Sequence, residues 1–155
     1  SNIHTDDAEL VKFSEVLSND AFLDCQSNGS SVAMSPDGTR LVYVCFSDST
    51  SYLVLRDMDN FISTRMTGTE GASSPFFSRN GDWIGFFAEG YLKKVPVRGG
   101  VPLNICETRA GYDGCWIDEN TIIFADAQVG NFIFIAHEHG RALNIEPGQI
   151  RHRRE

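Results

Sequence analysis

The sequence contains no long hydrophobic run and few basic side chains, and each absence excludes a class of protein. Its apolar segments, such as the one from Leu41 to Phe46, fall far short of the roughly 20 residues that a membrane helix needs. It has 13 Lys and Arg against 21 Asp and Glu, which gives a formal net charge of −8. A polyanion is bound by clustered positive charge, so we expect neither a nucleic-acid partner nor a membrane partner.

Cysteine and histidine are also scarce, with four residues of each. The cysteines stand at Cys25, Cys45, Cys106 and Cys115, and no two of them form a C-x-x-C pair. Zinc sites are commonly built from such pairs with further Cys or His ligands, so the sequence predicts no metal site and no cofactor. Cys45 lies in an apolar stretch, where we expect a buried thiol. The even count leaves disulfide pairing open.

The most informative feature that is present is a repeated turn followed by an apolar strand. Ser35-Pro36-Asp37-Gly38 precedes one such strand, Ser78-Arg79-Asn80-Gly81 precedes the next, and Ile117-Asp118-Glu119-Asn120 precedes a third. Pro fixes φ for a turn, Asp and Asn bond their own backbone, and Gly accepts a positive φ. A period of roughly forty residues, in segments patterned as strands, is typical of β-propeller blades.

The strand after each turn is apolar on both faces, as expected for strands buried between stacked sheets. Leu41, Ile84 and Ile122 occupy one equivalent position in it. The next strand contains an aromatic residue at its start in every unit, and a fourth strand follows a turn. We therefore predict an all-β fold, a partial β-propeller of about three four-stranded antiparallel blades.

The repeat divides the chain into five segments. Three units span residues 31–73, 74–114 and 115–147. An N-terminal segment, 1–30, precedes them, and its residues 10–17 are apolar enough for an outer strand of a blade. A basic tail, 148–155, follows them, and we interpret it as a chain end without fixed structure.

The repeat resembles that of TolB-like β-propellers, in which Ser-Pro-Asp-Gly turns precede apolar strands. Between Ala33 and Cys106 the sequence is most similar to the propeller found C-terminal to some bacterial serine/threonine kinases, and segments 68–72, 74–78 and 84–88 carry this resemblance. The resemblance implies a fold that generally has six blades, in a bacterial protein of either the cytoplasm or the periplasm. It implies no kinase chemistry, because no kinase-domain motif is present.

Three blades are too few to close a ring, since known propellers typically have four to eight. Open end blades would expose apolar faces and unpaired strand edges to water. We therefore predict a homodimer, in which three blades of one copy and three of another make six. The alternative is a fragment or a degenerate descendant of a longer propeller.

Four residues are our candidates for ligand binding, Glu70, Tyr112, Asp113 and Trp116. In propellers the innermost strands and the connecting loops surround a central channel, where ligands or partner segments often dock. Tyr112 and Asp113 belong to a Gly-rich stretch that we expect in such a loop or at the entry of an inner strand. For each of the four, ordinary packing in the core or in a loop is the alternative.

The sequence shows no catalytic motif. A G-x-S-x-G nucleophile elbow is absent, and His137 and His139, which would share one face of a strand, have no identifiable third ligand. We therefore predict a non-catalytic module that binds a protein, a peptide or a small ligand at the channel. The alternatives are a propeller-type enzyme or enzyme-associated domain, such as a lyase or a peptidase-gating propeller, and a relic without selected activity.

Overall fold

A computed structural model describes residues 22–23, 29–129, 132–137 and 143–145, and these are built almost wholly of β-strands. In chain order the strands are β1 (Phe22–Leu23), β2 (Val32–Met34), β3 (Arg40–Ser47), β4 (Thr50–Asp57), β5 (Ser63–Arg65), β6 (Ser73–Phe77), β7 (Trp83–Ala88), β8 (Tyr91–Pro96), β9 (Leu103–Glu107), β10 (Gly111–Asp118), β11 (Thr121–Asp126), β12 (Phe132–His137) and β13 (Leu143–Ile145). A single 3₁₀ turn, Ala127–Val129, follows β11. None of the described segments is a helix long and apolar enough to cross a membrane.

The strands form three antiparallel sheets, which confirms the predicted all-β architecture. In the first sheet β3, β4 and β5 are neighbours, and β1 and β2 both pair with the other edge of β3. The second sheet has the order β6-β7-β8-β9 and the third has the order β10-β11-β12-β13. The unit boundaries predicted at 73/74 and 114/115 fall inside β6 and β10. The predicted strand at 10–17 and the tail at 148–155 lie outside the described residues.

The two well-preserved turns of the repeat have the same hydrogen bonds. Ser35 and Ser78 each donate their hydroxyl to the Oδ1 of the residue two positions on, which is Asp37 at 2.7 Å in the first turn and Asn80 at 2.8 Å in the second. In both turns that Oδ1 also accepts the backbone N–H of the residue two positions further along, at 3.0 Å. Asn80 therefore replaces Asp37 and preserves these two bonds, although Asp37 also accepts the Thr39 hydroxyl at 2.8 Å and the second turn has Asp82 at that position. Hydrogen bonds from Ser35 and Thr39 lower the pKa of Asp37 to about 2.

The sheets pack face to face through two apolar layers. The layer between the first and second sheets includes Val42, Val44, Leu53, Ile84, Phe86 and Val95. The layer between the second and third sheets includes Phe76, Phe87, Leu92, Trp116, Ile122 and Phe124. Because β7 contributes to both layers, it is buried on both faces, as its unbroken apolar sequence predicts.

The ring of Phe76 fixes the contact between the second and third sheets. It packs on Trp116, with the two ring centroids 5.0 Å apart. It also lies against the backbones of Gly85 and Gly114, and a Cβ added at either glycine would overlap the ring. The absence of a side chain at these two positions therefore lets the sheets approach closely.

The outward face of the first sheet, which is turned away from the second, is apolar and unevenly exposed. Tyr43, Cys45, Tyr52 and Val54 form a buried cluster there, so the predicted buried thiol at Cys45 is confirmed. Burial also raises the pKa of this thiol. Leu23, Val32 and Met34 share this face, since each pairs with a residue of β3 that belongs to it or packs against it. We call these three residues the inner strip, and they are 40%, 45% and 48% exposed.

The outward face of the third sheet is the other end of the stack. Along β11, Ile122 and Phe124 face the second sheet, so the alternate residues Ile123 and Ala125 point outward. Ile135 pairs with Ile123 and shares this face. These three outward apolar side chains are only half buried.

Candidate functional site

The first strands of the three sheets lie close together, because β6 of the second sheet contacts both β2 of the first and β10 of the third. Two of these strands are irregular at equivalent positions. Ser74 in β6 and Asp113 in β10 have positive φ angles of 48° and 45°, and the register of pairing with the next strand shifts at each of them. Positive φ is uncommon for residues with a side chain, and such irregular positions often occur at functional sites.

Asp113 links the third sheet to the first. Its Oδ1 accepts the backbone N–H of Ser30 at 2.9 Å. The neighbouring Gly29 lies so close that an added Cβ would overlap the hydroxyl of Ser74 and would stand 3.0 Å from Oδ1 of Asp113. Segments that belong to all three sheets therefore meet at Asp113, and its carboxylate helps to hold them together.

The other three predicted residues lie in different surroundings. Glu70 is exposed between β5 and β6, where its carboxylate stands 3.7 Å from the guanidinium of Arg65. Tyr112 precedes Asp113 in β10 and pairs with Ala125, so it belongs to the outward side of the third sheet. Trp116 is only 4% exposed and packs in the layer between the second and third sheets. Core packing, the alternative given for Trp116, therefore describes its position.

A buried carboxylate, which no pattern in the sequence identifies, fixes the connection between the second and third sheets. Asp126 at the end of β11 accepts hydrogen bonds from the Thr108 hydroxyl at 2.7 Å and from the backbone N–H groups of Arg109, Ala110 and Gln128 at 3.0, 3.3 and 3.0 Å. Burial by itself would raise the pKa of Asp126, but these donors outweigh it and hold the pKa below its usual value. This carboxylate therefore supports the fold in its ionised form.

Only one of the two histidines discussed above, His137, lies within the described residues. His137 ends β12, and its Nδ1 lies 3.2 Å from the Thr121 hydroxyl, whereas His139 lies outside the described residues. Within the described ranges no three His, Cys, Asp or Glu side chains are grouped so that they could hold a metal ion. A shared ligand for the two histidines therefore stays a hypothesis.

A groove between the second and third sheets is the feature that sequence reasoning missed. It encloses about 330 Å³, and the side chains that line it include Arg79, Trp83, Lys94, Trp116, Glu119 and Asn120. Arg79 donates from Nη1 to the carbonyl of Ile117 at 2.6 Å. The Nζ of Lys94 lies 4.1 Å from the centroid of the Trp83 ring. The signal in the sequence was Arg79 itself, which stands in the turn where the first unit has Pro36.

Comparison with known proteins finds a likeness in structure and none in sequence. No protein-family model matches the chain, and no curated protein matches it. TolB from Acinetobacter baumannii is similar with a TM-score of 0.62 and 15% identity, over 78% of this chain and 33% of that one. The β-propeller domain of the trilobed protease from Pyrococcus furiosus matches with a TM-score of 0.61 and 17% identity, over 84% and 44%. A protein assigned as TolB from Agrobacterium tumefaciens matches with a TM-score of 0.60 and 20% identity, over 76% and 50%.

These likenesses decide the architecture. The chain has the fold of a partial β-propeller, similar to part of the propellers in these structures. It spans half or less of the length of each matched structure, as three sheets of a longer ring would. An acylaminoacyl peptidase and an oligogalacturonate lyase share the fold at 13% identity. Because TolB, a peptidase and a lyase all share this fold, the fold does not identify the function, which must be argued from the surfaces of the chain.

Proposed function

We propose that the chain is half of a propeller, that it acts as a non-catalytic binding module, and that it pairs with a second copy of itself. The observation that carries this proposal is the outward face of the third sheet, where Ile123, Ala125 and Ile135 are only half buried. In a propeller such a face packs on the next blade. The described part of this chain provides three sheets, and we propose that a second copy supplies the sheet that packs on this face.

The internal repeat indicates where the second copy would make contact. The pairing registers make Cys115 of β10 equivalent to Phe76 of β6, and they make Met34 of β2 equivalent to Trp116 of β10. Phe76 packs on Trp116 across the contact between the second and third sheets. By the same geometry, Cys115 of one copy lies against Met34 of the other. The third sheet of each copy then packs on the first sheet of its partner, which closes a ring with two-fold symmetry.

The inner strip is the part of the first sheet that a second copy can cover. Its residues Leu23, Val32 and Met34 are 40–48% exposed, whereas Tyr43 and Cys45 on the same face are already buried. A row of exposed aliphatic side chains marks an interaction surface more often than isolated ones do. The strip also lies along one edge of the first sheet, in β1 and β2, which both pair with β3.

We place the ligand of this module at the inner strands, beside Tyr112 and Asp113 and towards Glu70, and we propose that it is a protein or peptide segment. Support comes from the positive φ angles of Ser74 and Asp113, which give the two inner strands the same irregular shape at one point. A ligand bound there would contact more than one sheet, since Asp113 already bonds to Ser30.

Sedimentation equilibrium tests the self-association. The chain should have twice its mass of 17.2 kDa at micromolar concentration. Ile135→Asp should be monomeric, because it places an unpaired charge in the apolar contact. Asp59→Asn, in an exposed turn of the first sheet, is the control and should stay dimeric. A well-folded wild-type monomer would contradict the pairing, and a dimer that Ile135→Asp leaves intact would contradict the proposed face.

A catalytic propeller is the competing function, and it is supported by the fold shared with a peptidase and a lyase. Cleavage of peptides or of oligogalacturonate by the purified chain would favour it over the binding module. We also retain the resemblance to kinase-associated propellers as a proposal, and it rests on segments 68–72, 74–78 and 84–88.

A further inference from the structure

We propose that the groove between the second and third sheets binds an acidic peptide through one of its carboxylates. The groove lies between the second and third sheets of one chain, whereas the proposed second copy would pack on the outward faces of the first and third sheets. The inference therefore does not rest on the proposed function.

The groove concentrates positive charge in an acidic protein. Arg79 and Lys94 line it, and Glu119 is the acidic side chain among its described lining residues, although the whole chain has a net charge of −8. Asp82 lies in the adjoining turn and Asp118 ends β10, and Asp118 accepts the backbone N–H of Asn120 at 2.9 Å. Two cations beside one lining carboxylate therefore favour an anionic ligand over a cationic one.

Arg79 is held in position before any ligand arrives. Its Nη1 donates to the carbonyl of Ile117 at 2.6 Å, so the side chain reaches from the turn of the second sheet to β10 of the third. A guanidinium has five N–H donors in a planar fork, and this bond uses one of them. The fork matches the two oxygens of a carboxylate. Because the side chain is already ordered, binding costs less conformational entropy than it would for a mobile arginine.

Lys94 adds a second ordered cation at the wall of the groove. Its Nζ lies 4.1 Å from the centroid of the Trp83 ring, a cation–π arrangement that holds the ammonium group near the ring face. Lys93, the preceding residue, pairs with Phe86, whose side chain packs in the layer between the first and second sheets. Successive side chains of a strand point to opposite faces, so Lys93 and Lys94 form a matched pair for comparison.

The size and the walls of the groove indicate a peptide. A volume of about 330 Å³ is at the lower end of the range of ligand pockets, about 300–1,000 Å³. It suits one side chain with its flanking backbone. Trp83, which is only partly buried, offers aromatic surface for the apolar part of such a segment, and a bare inorganic anion would leave that surface unused.

The tryptophans also provide the assay, because the chain contains only two and both line the groove. An acidic hexapeptide of Glu, Leu and Gly should produce a saturable change in tryptophan emission, and the same peptide with Lys for Glu should not. Arg79→Gln and Lys94→Gln should each weaken binding by roughly tenfold, since each removes one charged contact. In the wild type the Nζ of Lys93 lies 2.7 Å from the carboxylate of Glu89 and not in the groove. The Lys93→Gln variant should therefore bind the peptide as tightly as the wild type does.

A variant that is expected to bind more tightly distinguishes a change in the binding site from a loss of folding. Glu119→Gln removes the lining carboxylate in an exposed turn, and the affinity for the acidic peptide should rise by roughly threefold. A folding defect would not tighten binding. The proposal is overturned by the absence of a saturable change, by equal affinity in Lys94→Gln, or by inorganic phosphate binding as tightly as the peptide.

Discussion

Gly114→Ala should destabilise the contact between the second and third sheets by about 2 kcal/mol. The new Cβ would overlap the Phe76 ring and would lie 3.0 Å from its Cδ1, whereas carbon atoms in contact prefer about 3.5–4.0 Å. The ring has little freedom to move away, because it already lies against the backbone of Gly85, so closely that a Cβ added there would stand 2.6 Å from the Cε2 of Phe76. Overpacking typically costs about 1–3 kcal/mol, and this confinement favours the upper end. The stiffer unfolded chain offsets about 0.4–1 kcal/mol of it.

Urea unfolding, followed by circular dichroism, measures this effect. With an m-value of about 2 kcal/mol per molar, the midpoint should fall by about 1 M. Gly71→Ala is the control, because it has positive φ but no atom within 4 Å of its added Cβ, so it should cost only the backbone strain of about 1–2 kcal/mol. Adding Phe76→Leu to Gly114→Ala should relieve the overlap. The loss of unfolding free energy in the double variant should therefore be smaller, by about 1 kcal/mol, than the sum of the losses in the two single variants. An unchanged midpoint for Gly114→Ala, or strict additivity with Phe76→Leu, would refute the reasoning.

Three further predictions concern single groups. Asp126→Asn should lower the free energy of unfolding by about 1–3 kcal/mol at pH 7, as measured by urea unfolding. Because the folded-state pKa of Asp126 is lowered, its stabilising contribution is present above the unfolded-state pKa and is lost as the pH falls. An equal difference in stability between wild type and variant at pH 7 and at pH 3 would contradict this prediction. Asn80→Asp should change stability by less than about 0.5 kcal/mol while Asn80→Ala costs about 1 kcal/mol, and equal losses would show that the Oδ1 acceptor is unimportant. Among the described cysteines, Cys115 should react first with a thiol reagent at pH 8, because it is exposed. Burial raises the pKa of Cys106 to about 11 and also raises the pKa of Cys45, so these two thiols should react later. Mass spectrometry of the early products measures the order.

The sheets were predictable because the chemistry that specifies them is local. Ser35 and Asp37 bond within one turn, and Ser78 and Asn80 repeat those bonds a unit later. The strand that follows is apolar in every copy, which requires burial on both faces. A repeat that preserves turn chemistry and strand pattern therefore predicts the number of sheets and their antiparallel order without knowledge of any distant contact.

The contacts between sheets were not predictable, since they depend on residues that only the fold brings together. The fit of Phe76 depends on Gly85, its partner on the next strand, and on Gly114, which is 38 positions away in the third sheet. The orientation of Trp116 was ambiguous for a related reason. The pairing of β10 with β11 shifts between Trp116 and Asp118, so counting alternate positions from the turn assigns the side chain to the wrong face.

For the candidate binding residues, too, local features could be predicted from the sequence and contacts between sheets could not. The Gly-rich stretch predicted a loop or the entry of an inner strand at Tyr112 and Asp113, and the structure has both residues in β10, with a positive φ at Asp113. The bond from Ser30 to Asp113 joins residues of the first and third sheets, and no sequence pattern encodes it. The groove beside Trp83 was missed because its two cations lie in different elements of the second sheet, a turn and the strand β8, and its other wall belongs to the third sheet.

A cross-link between copies tests the central claim, that three sheets of one chain are completed by three of another. Cys115 is an exposed free thiol in β10, and in the proposed pairing it lies against Met34 of the second copy. The Met34→Cys variant should therefore form, under mild oxidation, a covalent dimer whose bond joins position 34 of one chain to Cys115 of the other, as mapped by mass spectrometry. The wild type should form no such bond. Bonds that join position 34 of both chains, or no bond between chains while the variant stays folded, would contradict the closed ring.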